Sequence, residues 1–507
     1  MKTETVSGNR GLLQAEGLIF ETGHATGTGV DLPEPKGGGD RLGGLGRKAA
    51  LDLPGLSEPE TMRHFVRLSQ KNYAIDLGLF PLGSCTMKHN PRLNERVARF
   101  EGFADLHPLQ PLSTVQGAIE VMDQLAHWLC TMTGMPAVAL SPKAGAHGEM
   151  CGMLAIKAAL EARGEGEKRK RVLVPSSAHG TNPATAAAAG FTIDEIPGRD
   201  DGRVHIDDVK AKLGPDVAAI MITNPNTCGL FEREVMAIAD AVHEAGAYFY
   251  CDGANNNAIV GRVRPGDLGV DAMHINLHKT FSTPHGGGGP GAGPTVLSDA
   301  LAPFAPVPHI VKRGKGYQLR EHADGTRAFG RMCAFHGQMG MFTRALTYML
   351  SHGSDGLRQV AEDAVLNANY LLTRLKPHFN APFGEGPCMH EALLDHTRTE
   401  EQGIETKDFA KALLDEGYHP FTTYFPLVVH GAMLIEPTET EPKRELDRFA
   451  EVMIALAERA KAGDVEFFKQ APRLAPTRRL DETRAARQPK LRWKRGDNGG
   501  PEKIAAE

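Results

Sequence analysis

The sequence predicts an α/β fold with a mostly parallel central sheet. In the middle third of the chain, short apolar segments alternate with longer segments whose apolar residues recur at helical spacing. Apolar strands that alternate with helices are typical of a parallel sheet covered on both faces. The chain has 507 residues, of which 41% are hydrophobic, so it can bury such a sheet and still form a second domain.

The predicted elements follow one another in a regular order. The first amphipathic helix is predicted at 149–160, and Gly164 just beyond it is a typical helix end. Further helices are predicted at 206–213 and 235–245, and a helical stretch at 343–349 leads toward the C-terminal part. The predicted strands are 172–175, 217–222, 247–251 and 271–277.

Each of these strands is followed by a residue that can take part in chemistry. In chain order these residues are His179, Thr227, Asp252 and Lys279. Ligands of parallel sheets bind beyond the carboxyl ends of the strands. We therefore expect the four side chains to lie at one edge of the sheet.

Lys279 and Asp252 together indicate a site for pyridoxal phosphate. A lysine amine can form a Schiff base with an aldehyde cofactor, and a carboxylate at a neighbouring strand end can keep the pyridine nitrogen protonated. The alternative is that Lys279 is a solvated loop lysine and that the glycines after it form only a flexible turn. Either residue alone would favour that alternative, whereas their shared place at the sheet edge favours the cofactor site.

Further residues fit the same site. Gly145, Ala146 and His147 stand at the start of a predicted helix, where free N–H groups and the helix dipole favour a phosphate. A tight turn that needs small residues is the alternative there. His179 could lie against the cofactor ring and His278 could donate to the phosphate, although each could also be structural.

Composition excludes several other classes of protein. The formal net charge of -5 provides no basic field for nucleic acid. No apolar stretch reaches the roughly 20 residues that a membrane span needs, and the N-terminus lacks an apolar signal core, so we expect a cytoplasmic protein. The seven cysteines are scattered without a C-x-x-C pair, which predicts reduced thiols and no metal site.

The chain resembles the P-protein of the glycine cleavage system, in the form of its subunit 2, over nearly its whole length. Several of the matching strings are long and specific. They are LGSCTMK at 82–88, HP at 107–108, SAHGTNPA at 177–184, YCDGAN at 250–255, NLHKTFSTPH at 276–285 with its glycine-rich continuation, and MLIEPTE at 433–439.

This resemblance implies a fold type I pyridoxal phosphate enzyme, similar in architecture to aspartate aminotransferase, with a smaller C-terminal α+β domain. It implies that the enzyme decarboxylates glycine, releases carbon dioxide and passes the aminomethyl group to the lipoyl arm of the H-protein. It further implies a partner, subunit 1, in an α2β2 heterotetramer.

The resemblance also implies roles for individual residues. The catalytic residues would be Lys279 as the Schiff-base lysine, Asp252 at the pyridine nitrogen and His179 stacked on one ring face. The remaining cofactor-binding residues would be Ala254 on the other ring face, Gly145, Ala146 and His147 around the phosphate, Thr227 near the ring hydroxyl, and His278 as a further donor.

The predicted domain organisation has four parts. They are an extended N-terminal arm at 1–75, a large cofactor-binding domain at 76–335, a small C-terminal domain at 336–493 and a polar, disordered tail at 494–507. The glycine run at 286–289 is expected to approach a ligand closely or to act as a gate, because glycine has no side chain. A plain connector is the alternative.

Two other functions stay open at this point. Another fold type I amino acid decarboxylase or transferase would share Lys279, Asp252 and His179, but the strings at 82–88 and 433–439 argue against it. A noncatalytic scaffold subunit would be expected to lack the Schiff-base lysine, so Lys279 argues against that function.

Overall fold

The computed structural model describes most of the chain between residues 16 and 492. The described residues are 16–24, 27–30, 32–33, 41–49, 51, 53–286, 291–322, 325, 327–384, 386–475 and 478–492. The predicted tail at 494–507 and residues 287–289 of the glycine run therefore lie outside them. Contacts divide the chain into two units, Met1–Ala74 with Lys469–Glu507, and Ile75–Phe468. The four predicted domains remain a prediction.

The helices are distributed along the whole described chain. The α-helices are Ile19–Thr22, Glu58–Lys71, Arg92–Ala98, Glu101–Ala104, Gln116–Thr133, Gly145–Ala162, Thr181–Ala188, Ile206–Lys212, Val235–Glu244, Leu277–Thr280, Met339–Leu375, Thr406–Asp415, Lys443–Lys461, Val465–Gln470 and Glu482–Arg487. Short 3-10 helices are Ile75–Leu77, Leu112–Thr114, Asn256–Ala258, Pro265–Leu268, Ala302–Phe304 and Thr397–Gln402. Among the described helices, none is long and apolar enough to cross a membrane.

The larger unit, Ile75–Phe468, contains a seven-stranded sheet in the order β1-β7-β6-β5-β4-β2-β3. Neighbouring strands from β6 to β3 pair in parallel, and β7 runs antiparallel to both β1 and β6. The carboxyl ends of β2, β4, β5 and β6 therefore meet at one edge. The strands are β1 (Ala137–Ala139), β2 (Arg171–Pro175), β3 (Thr192–Ile196), β4 (Val217–Thr223), β5 (Tyr248–Asp252), β6 (Ala272–His274) and β7 (Thr295–Leu297).

Both faces of this sheet are covered. Every residue of β4 and β5 is buried, and alternate side chains enter two separate hydrophobic cores. Ile220 and Phe249 belong to one core, whereas Met221 and Tyr250 belong to the other. The alternation follows from the two-residue period of a strand, and it explains why these strands read as continuous apolar segments.

The structure corrects one predicted strand. The strand predicted at 271–277 ends at His274, and Leu277 begins the short helix that carries Lys279. The prediction was wrong for 275–277 because an apolar residue such as Leu277 can be buried equally well in a helix. Three strands of the seven-stranded sheet were not predicted, namely β1, β3 and β7. Strand β3 lies at the sheet edge with three exposed residues, and β1 and β7 have only three residues each.

Two smaller sheets complete the larger unit. Strands β8 (His309–Arg313) and β9 (Gly316–Arg320) form an antiparallel hairpin. Strands β10 (Ala392–Asp395), β12 (Ala432–Ile435) and β11 (Thr422–Thr423) form an antiparallel sheet in that order. The long helix Met339–Leu375 includes the predicted helical stretch at 343–349 and is interrupted at Gly353, whose φ of 65° is readily adopted by glycine.

The smaller unit contains the helix Glu58–Lys71 within its N-terminal part. The N–H of Ser57 donates to Oε2 of Glu60 at 2.8 Å, which supplies half of a capping box. Pro59 occupies the first turn, where a missing N–H has no cost.

Candidate active site

A cavity of about 250 Å³ opens at the carboxyl edge of the large sheet. Its walls come from the ends of β4, β5 and β6, from the segments that follow these strands, β1 and β2, and from Ser84 in the string at 82–88. The lining residues are Ser84, Gly145, Ala146, Glu149, His179, Thr181, Thr223, Thr227, Asp252, Ala254, Asn255, His274, Asn276, His278 and Lys279. The fold thus brings eight of the nine predicted site residues to one cavity, and His147 is the exception.

Lys279 lies in the one-turn helix Leu277–Thr280, directly after the sheet edge. The N–H of Lys279 donates to the carbonyl of Asn276 at 3.0 Å, which fixes the backbone of this turn. Its side chain is half-buried, and its amine makes no hydrogen bond or ion pair with any described residue. An amine held at the wall of a cavity without a partner is available for covalent chemistry.

Asp252 ends β5 and is 2% exposed. Its Oδ2 accepts a hydrogen bond from Nδ2 of Asn182 at 3.0 Å, and its Oδ1 accepts one from the N–H of Ala254 at 2.9 Å. The Nε2 atom of His274 lies 3.4 Å from Oδ1. Burial alone would raise the pKa of Asp252, but His274, Asn182 and the Ala254 N–H outweigh it and hold that pKa below its usual value. The carboxylate is therefore ionised at neutral pH.

A second carboxyl group beside Asp252 was not predicted. Glu149 lies in the first turns of the helix Gly145–Ala162 and accepts hydrogen bonds from Thr181 at 2.7 Å and Asn182 at 3.0 Å. Burial, and then the charge of Asp252, raise the pKa of Glu149 to about 7. Asn182 donates to both carboxyl groups and so links them. The sequence signal was weak, because Glu149 also fits an ordinary helical pattern.

The predicted ring contacts lie around the same cavity. His179 is exposed to it, and its Nδ1 is 2.8 Å from Oγ1 of Thr181, which restrains the ring. Ala254 lines another part of the wall, where a larger side chain would reduce the volume of the cavity. Thr227 is buried, and its hydroxyl donates to the carbonyl of Ser177, which joins the loops after β2 and β4.

Two of the three helix residues predicted to hold a phosphate line the cavity. Gly145 and Ala146 line the cavity at the start of an 18-residue helix. A Cβ on Gly145 would lie 2.7 Å from Nδ2 of Asn276, so a larger residue there would require the Asn276 amide to move. His147 does not line the cavity, because its Nδ1 turns back to accept the N–H of Lys143 at 3.1 Å.

His278 lines the cavity beside Lys279. Its Nε2 is 3.1 Å from Nδ2 of Asn276, and its ring meets that of His285 edge-on with 5.2 Å between centroids. Burial, followed by the neighbouring His285 and Lys279, lowers the pKa of His278 to about 3. The imidazole is therefore neutral, and its Nδ1 accepts the N–H of Ala292.

The donor set fits pyridoxal phosphate. Oγ1 of Thr223 and Oδ1 of Asn276 are buried at the cavity without a hydrogen-bond partner among the described residues. Buried polar atoms without partners are uncommon in native proteins, and at the wall of a cavity they are available to bind a polar ligand. Together with the free amine of Lys279, the carboxylate of Asp252 and the glycine-containing helix start, they provide a partner for each polar part of the cofactor.

The strings at 82–88 and 433–439 form one structural unit behind this cavity. The N–H of Gly83 donates to the carbonyl of Leu434 at 3.2 Å, and the N–H of Thr86 donates to Oε2 of Glu436 at 2.8 Å. Both strings support the family resemblance in the sequence, but the sequence did not predict that they contact each other.

Lys88 connects this unit to the turn that carries Lys279. Its buried ammonium donates to Oε1 of Glu439 at 2.6 Å, to Oδ1 of Asn257 at 2.8 Å and to the carbonyl of Thr280 at 2.9 Å. The side chains of Lys88 and Glu439 are 1% and 8% exposed. Because Thr280 follows Lys279 directly, Lys88 holds the backbone of the turn that carries Lys279.

Replacing Lys88 by methionine is expected to destabilise the chain by about 3–5 kcal/mol, because it leaves the buried carboxylate of Glu439 without its cation. Thermal unfolding measures this loss, and the visible spectrum of the cofactor-loaded chain should change with it. In the control Lys443→Met, which breaks an exposed pair with Asp447, the loss should stay below about 1 kcal/mol. A Lys88→Met chain as stable as the unmodified protein would contradict this role.

Two family models match the chain. The model for aminotransferase class-V matches residues 150–289, which include Asp252 and Lys279. The model for glycine dehydrogenase, C-terminal domain, matches residues 360–473. This range includes the three-stranded sheet of β10, β12 and β11 and the string at 433–439.

Similar proteins carry one consistent name, probable glycine dehydrogenase (decarboxylating) subunit 2. The relative from Caulobacter vibrioides is 70% identical over 97% of this chain and 94% of its own length. The relative from Kosmotoga olearia is 50% identical over 94% of this chain and 99% of its own length.

Solved structures share the fold. A crystal structure of glycine decarboxylase (P-protein) of the glycine cleavage system, in inhibitor-bound form, has a TM-score of 0.69 and 22% identity over 82% of this chain and 93% of that chain. A glutamate decarboxylase from Lactobacillus brevis has a TM-score of 0.62 and 13% identity over 82% of this chain and 95% of that chain. The fold is therefore the predicted fold type I α/β architecture of pyridoxal phosphate enzymes. On the strength of its relatives, the chain belongs to the family of decarboxylating glycine dehydrogenase subunit 2, a family of pyridoxal phosphate enzymes.

Proposed function

We propose that this chain uses pyridoxal phosphate to decarboxylate glycine and that it passes the aminomethyl group to the lipoyl arm of the H-protein. The observation that carries the proposal is the pairing, in one cavity, of the unpartnered amine of Lys279 with the buried, ionised carboxylate of Asp252. Membership of the decarboxylating glycine dehydrogenase family supports glycine as the substrate.

The residues at the cavity would divide the work of holding the cofactor. Lys279 would carry it covalently, Asp252 would pair with the pyridine nitrogen, and Gly145 and Ala146 would offer backbone N–H groups to the phosphate. When bound, the cofactor would supply an electron sink for the pair released as the carboxylate leaves.

The residues around Asp252 support its proposed role at the pyridine nitrogen. Asn182, the N–H of Ala254 and His274 hold the carboxylate in one orientation and keep it ionised, as the lowered pKa indicates. A fixed negative charge favours a protonated nitrogen opposite it, because solvent cannot screen the interaction at a buried site.

His179 would cover one face of the cofactor ring, with Ala254 on the opposite face. Partial burial lowers the pKa of His179, so a neutral ring is favoured, and a neutral ring can lie against the cofactor without bringing a second charge. Phe425 meets the His179 ring edge-on with 5.5 Å between centroids and limits the access of water on that side.

The partners follow from the same proposal. The relatives are named as subunit 2, which supports a partner subunit 1, and we extend this to an α2β2 assembly in the cytoplasm. Lipoylated H-protein would receive the aminomethyl group.

Transfer of the methylene carbon of glycine tests this function. After incubation of the chain with subunit 1, lipoylated H-protein and methylene-labelled glycine, mass spectrometry of the H-protein should show the added aminomethyl group. Omission of this chain, or use of unlipoylated H-protein, should abolish the mass increase. An unmodified H-protein in the complete mixture would refute the transfer.

A further inference from the structure

A buried acidic cluster lies behind the cofactor cavity and plays no part in the roles given above. It consists of His390, Glu391 and Glu436, which are fully buried at the start of β10 and the end of β12. One ligand-type atom from each of the three side chains lies within 4.8 Å of the others. No described arginine or lysine makes an ion pair with either carboxyl group, and burial of two such carboxyl groups is costly at this depth.

The cluster is fixed to the string at 82–88. The N–H of Ser84 donates to Oε1 of Glu391, and Thr86 donates to Glu436 through its N–H at 2.8 Å and its hydroxyl at 2.5 Å. Ser84 itself lines the cofactor cavity. Glu391 is therefore one hydrogen bond away from the cavity wall.

Three polar atoms of the cluster do not take part in its hydrogen bonds to described residues. Oε2 of Glu391 and both ring nitrogens of His390 are buried without a hydrogen-bond partner among the described residues. A cluster that served only to join strands would satisfy these atoms, as nearly all buried polar groups are satisfied. Unpartnered polar atoms beside two carboxyl groups favour a role in proton transfer.

The cluster has further charged and titratable groups around it. The groups that face Glu391 or Glu436 are Lys279, Lys88, Glu439, His390, Cys85, Cys228 and Cys388. The groups that face Lys279 in turn are His179, His274, His278, His285, Asp252 and Cys85. Lys279 is the cation among the groups that face both carboxyls.

We propose that Glu391 and Glu436, supported by His390, hold and exchange a proton for the reaction at Lys279. The proposal deepens the proposed function and rests on it. Glycine arrives as an ammonium ion and must lose one proton before its amine can react, and this pair would accept that proton inside the protein.

With such a group, the proton lost by glycine can be returned to the products of the reaction. The electron pair of the broken C–C bond forms the new C–S bond, the S–S bond of the lipoyl disulfide breaks, and its pair leaves on the second sulfur. That sulfur then needs one proton, which the cluster would return. Glycine and disulfide thus give carbon dioxide, an aminomethyl thioether and one thiol without a net proton from solvent.

The titration behaviour of the two groups agrees with this geometry. Burial, followed by repulsion from Glu436, raises the pKa of Glu391 well above its usual value, and burial raises that of Glu436. Burial lowers the pKa of His390 to about 3, so its neutral ring can accept a hydrogen bond from a protonated carboxyl. The raised pKa values mean that this pair holds a proton more readily than ordinary carboxylates do.

Proton release on glycine binding tests the proposal. Calorimetry of glycine binding to the cofactor-loaded complex, in buffers that differ in ionisation enthalpy, counts the protons released. With the natural chain we expect release close to zero. With Glu391→Gln/Glu436→Gln we expect about one proton per site, since the acceptor is gone. Glu441→Gln is the matched control, because burial raises the pKa of Glu441 to about 7 but Lys279 does not face it.

The outcomes separate the two proposals. An unchanged proton count in the double variant would overturn the proton-holding role while leaving glycine binding intact, whereas absence of glycine binding in the natural complex would refute the proposed function. If the double variant does not fold, each single variant retains one carboxyl and should release an intermediate fraction; no change in either contradicts the proposal. One bound divalent cation per chain by elemental analysis would also overturn it, because the three side chains would then be ligands.

Discussion

Replacing Lys279 by alanine is expected to abolish both the visible absorbance of the bound cofactor and all turnover of glycine. Lys279 is the lysine of the cavity, and its amine is free of other partners among the described residues. Alanine has no nucleophile, and among the described residues no second lysine lines the cavity to replace it. Absorbance spectra of the purified chain, and peptide mapping after borohydride reduction, measure the loss directly.

Lys157→Ala is a suitable control for this variant. Lys157 lies in the helix Gly145–Ala162, and its amine donates to the carbonyl of Ala189, so it is structural and remote from the cavity lining. The control should keep the absorbance, and the reduced cofactor should map to Lys279. Unchanged absorbance in Lys279→Ala would place the cofactor on a different residue.

Asp252→Asn is expected to lower turnover about 10²–10³-fold, in the range found when one preorganised electrostatic group is removed. An amide keeps the shape of the side chain and can still accept from the N–H of Ala254, but it has no charge to favour a protonated pyridine nitrogen. The cofactor should stay bound, because Lys279 and the helix start are unchanged. Turnover per bound cofactor is the quantity to measure.

Asp271→Asn is the comparison variant. Asp271 directly precedes β6 and so lies at the edge of the sheet opposite to Asp252, which ends β5. Asp271 is buried, and its Oδ2 accepts from the N–H of Phe249 and lies 2.8 Å from Nε2 of His243. Its replacement should lower thermal stability while turnover per folded molecule stays the same. Equal turnover in Asp252→Asn and the natural chain would exclude an electrostatic role for Asp252.

The sheet edge could be predicted from sequence because its signals are local. Strands β2, β4 and β5 are continuous apolar segments, and the residue types after these strands were visible in the same windows. Parallel topology then brought Asp252 and Lys279 together without further information. The strand before Lys279 was predicted three residues too long because burial of Leu277 does not distinguish helix from strand.

The other parts of the site depend on contacts between distant segments. Glu149 and Asn182 lie 33 positions apart yet share a hydrogen bond, and Ser84 meets Glu391 across 307 positions. Neither periodicity nor residue spacing reports such contacts in a single sequence. His147 shows the converse problem: its position at the helix start suited a phosphate donor, but its ring is used to accept the N–H of Lys143.

Exchange of the glycine carboxyl carbon with labelled bicarbonate is the most direct test of the central claim, that the Lys279 cavity decarboxylates glycine. The complete mixture of this chain, subunit 1, H-protein and cofactor should incorporate the label into glycine, and the mixture with Lys279→Ala should incorporate none. Absence of exchange in the complete mixture, or equal exchange with the alanine variant, would contradict the claim.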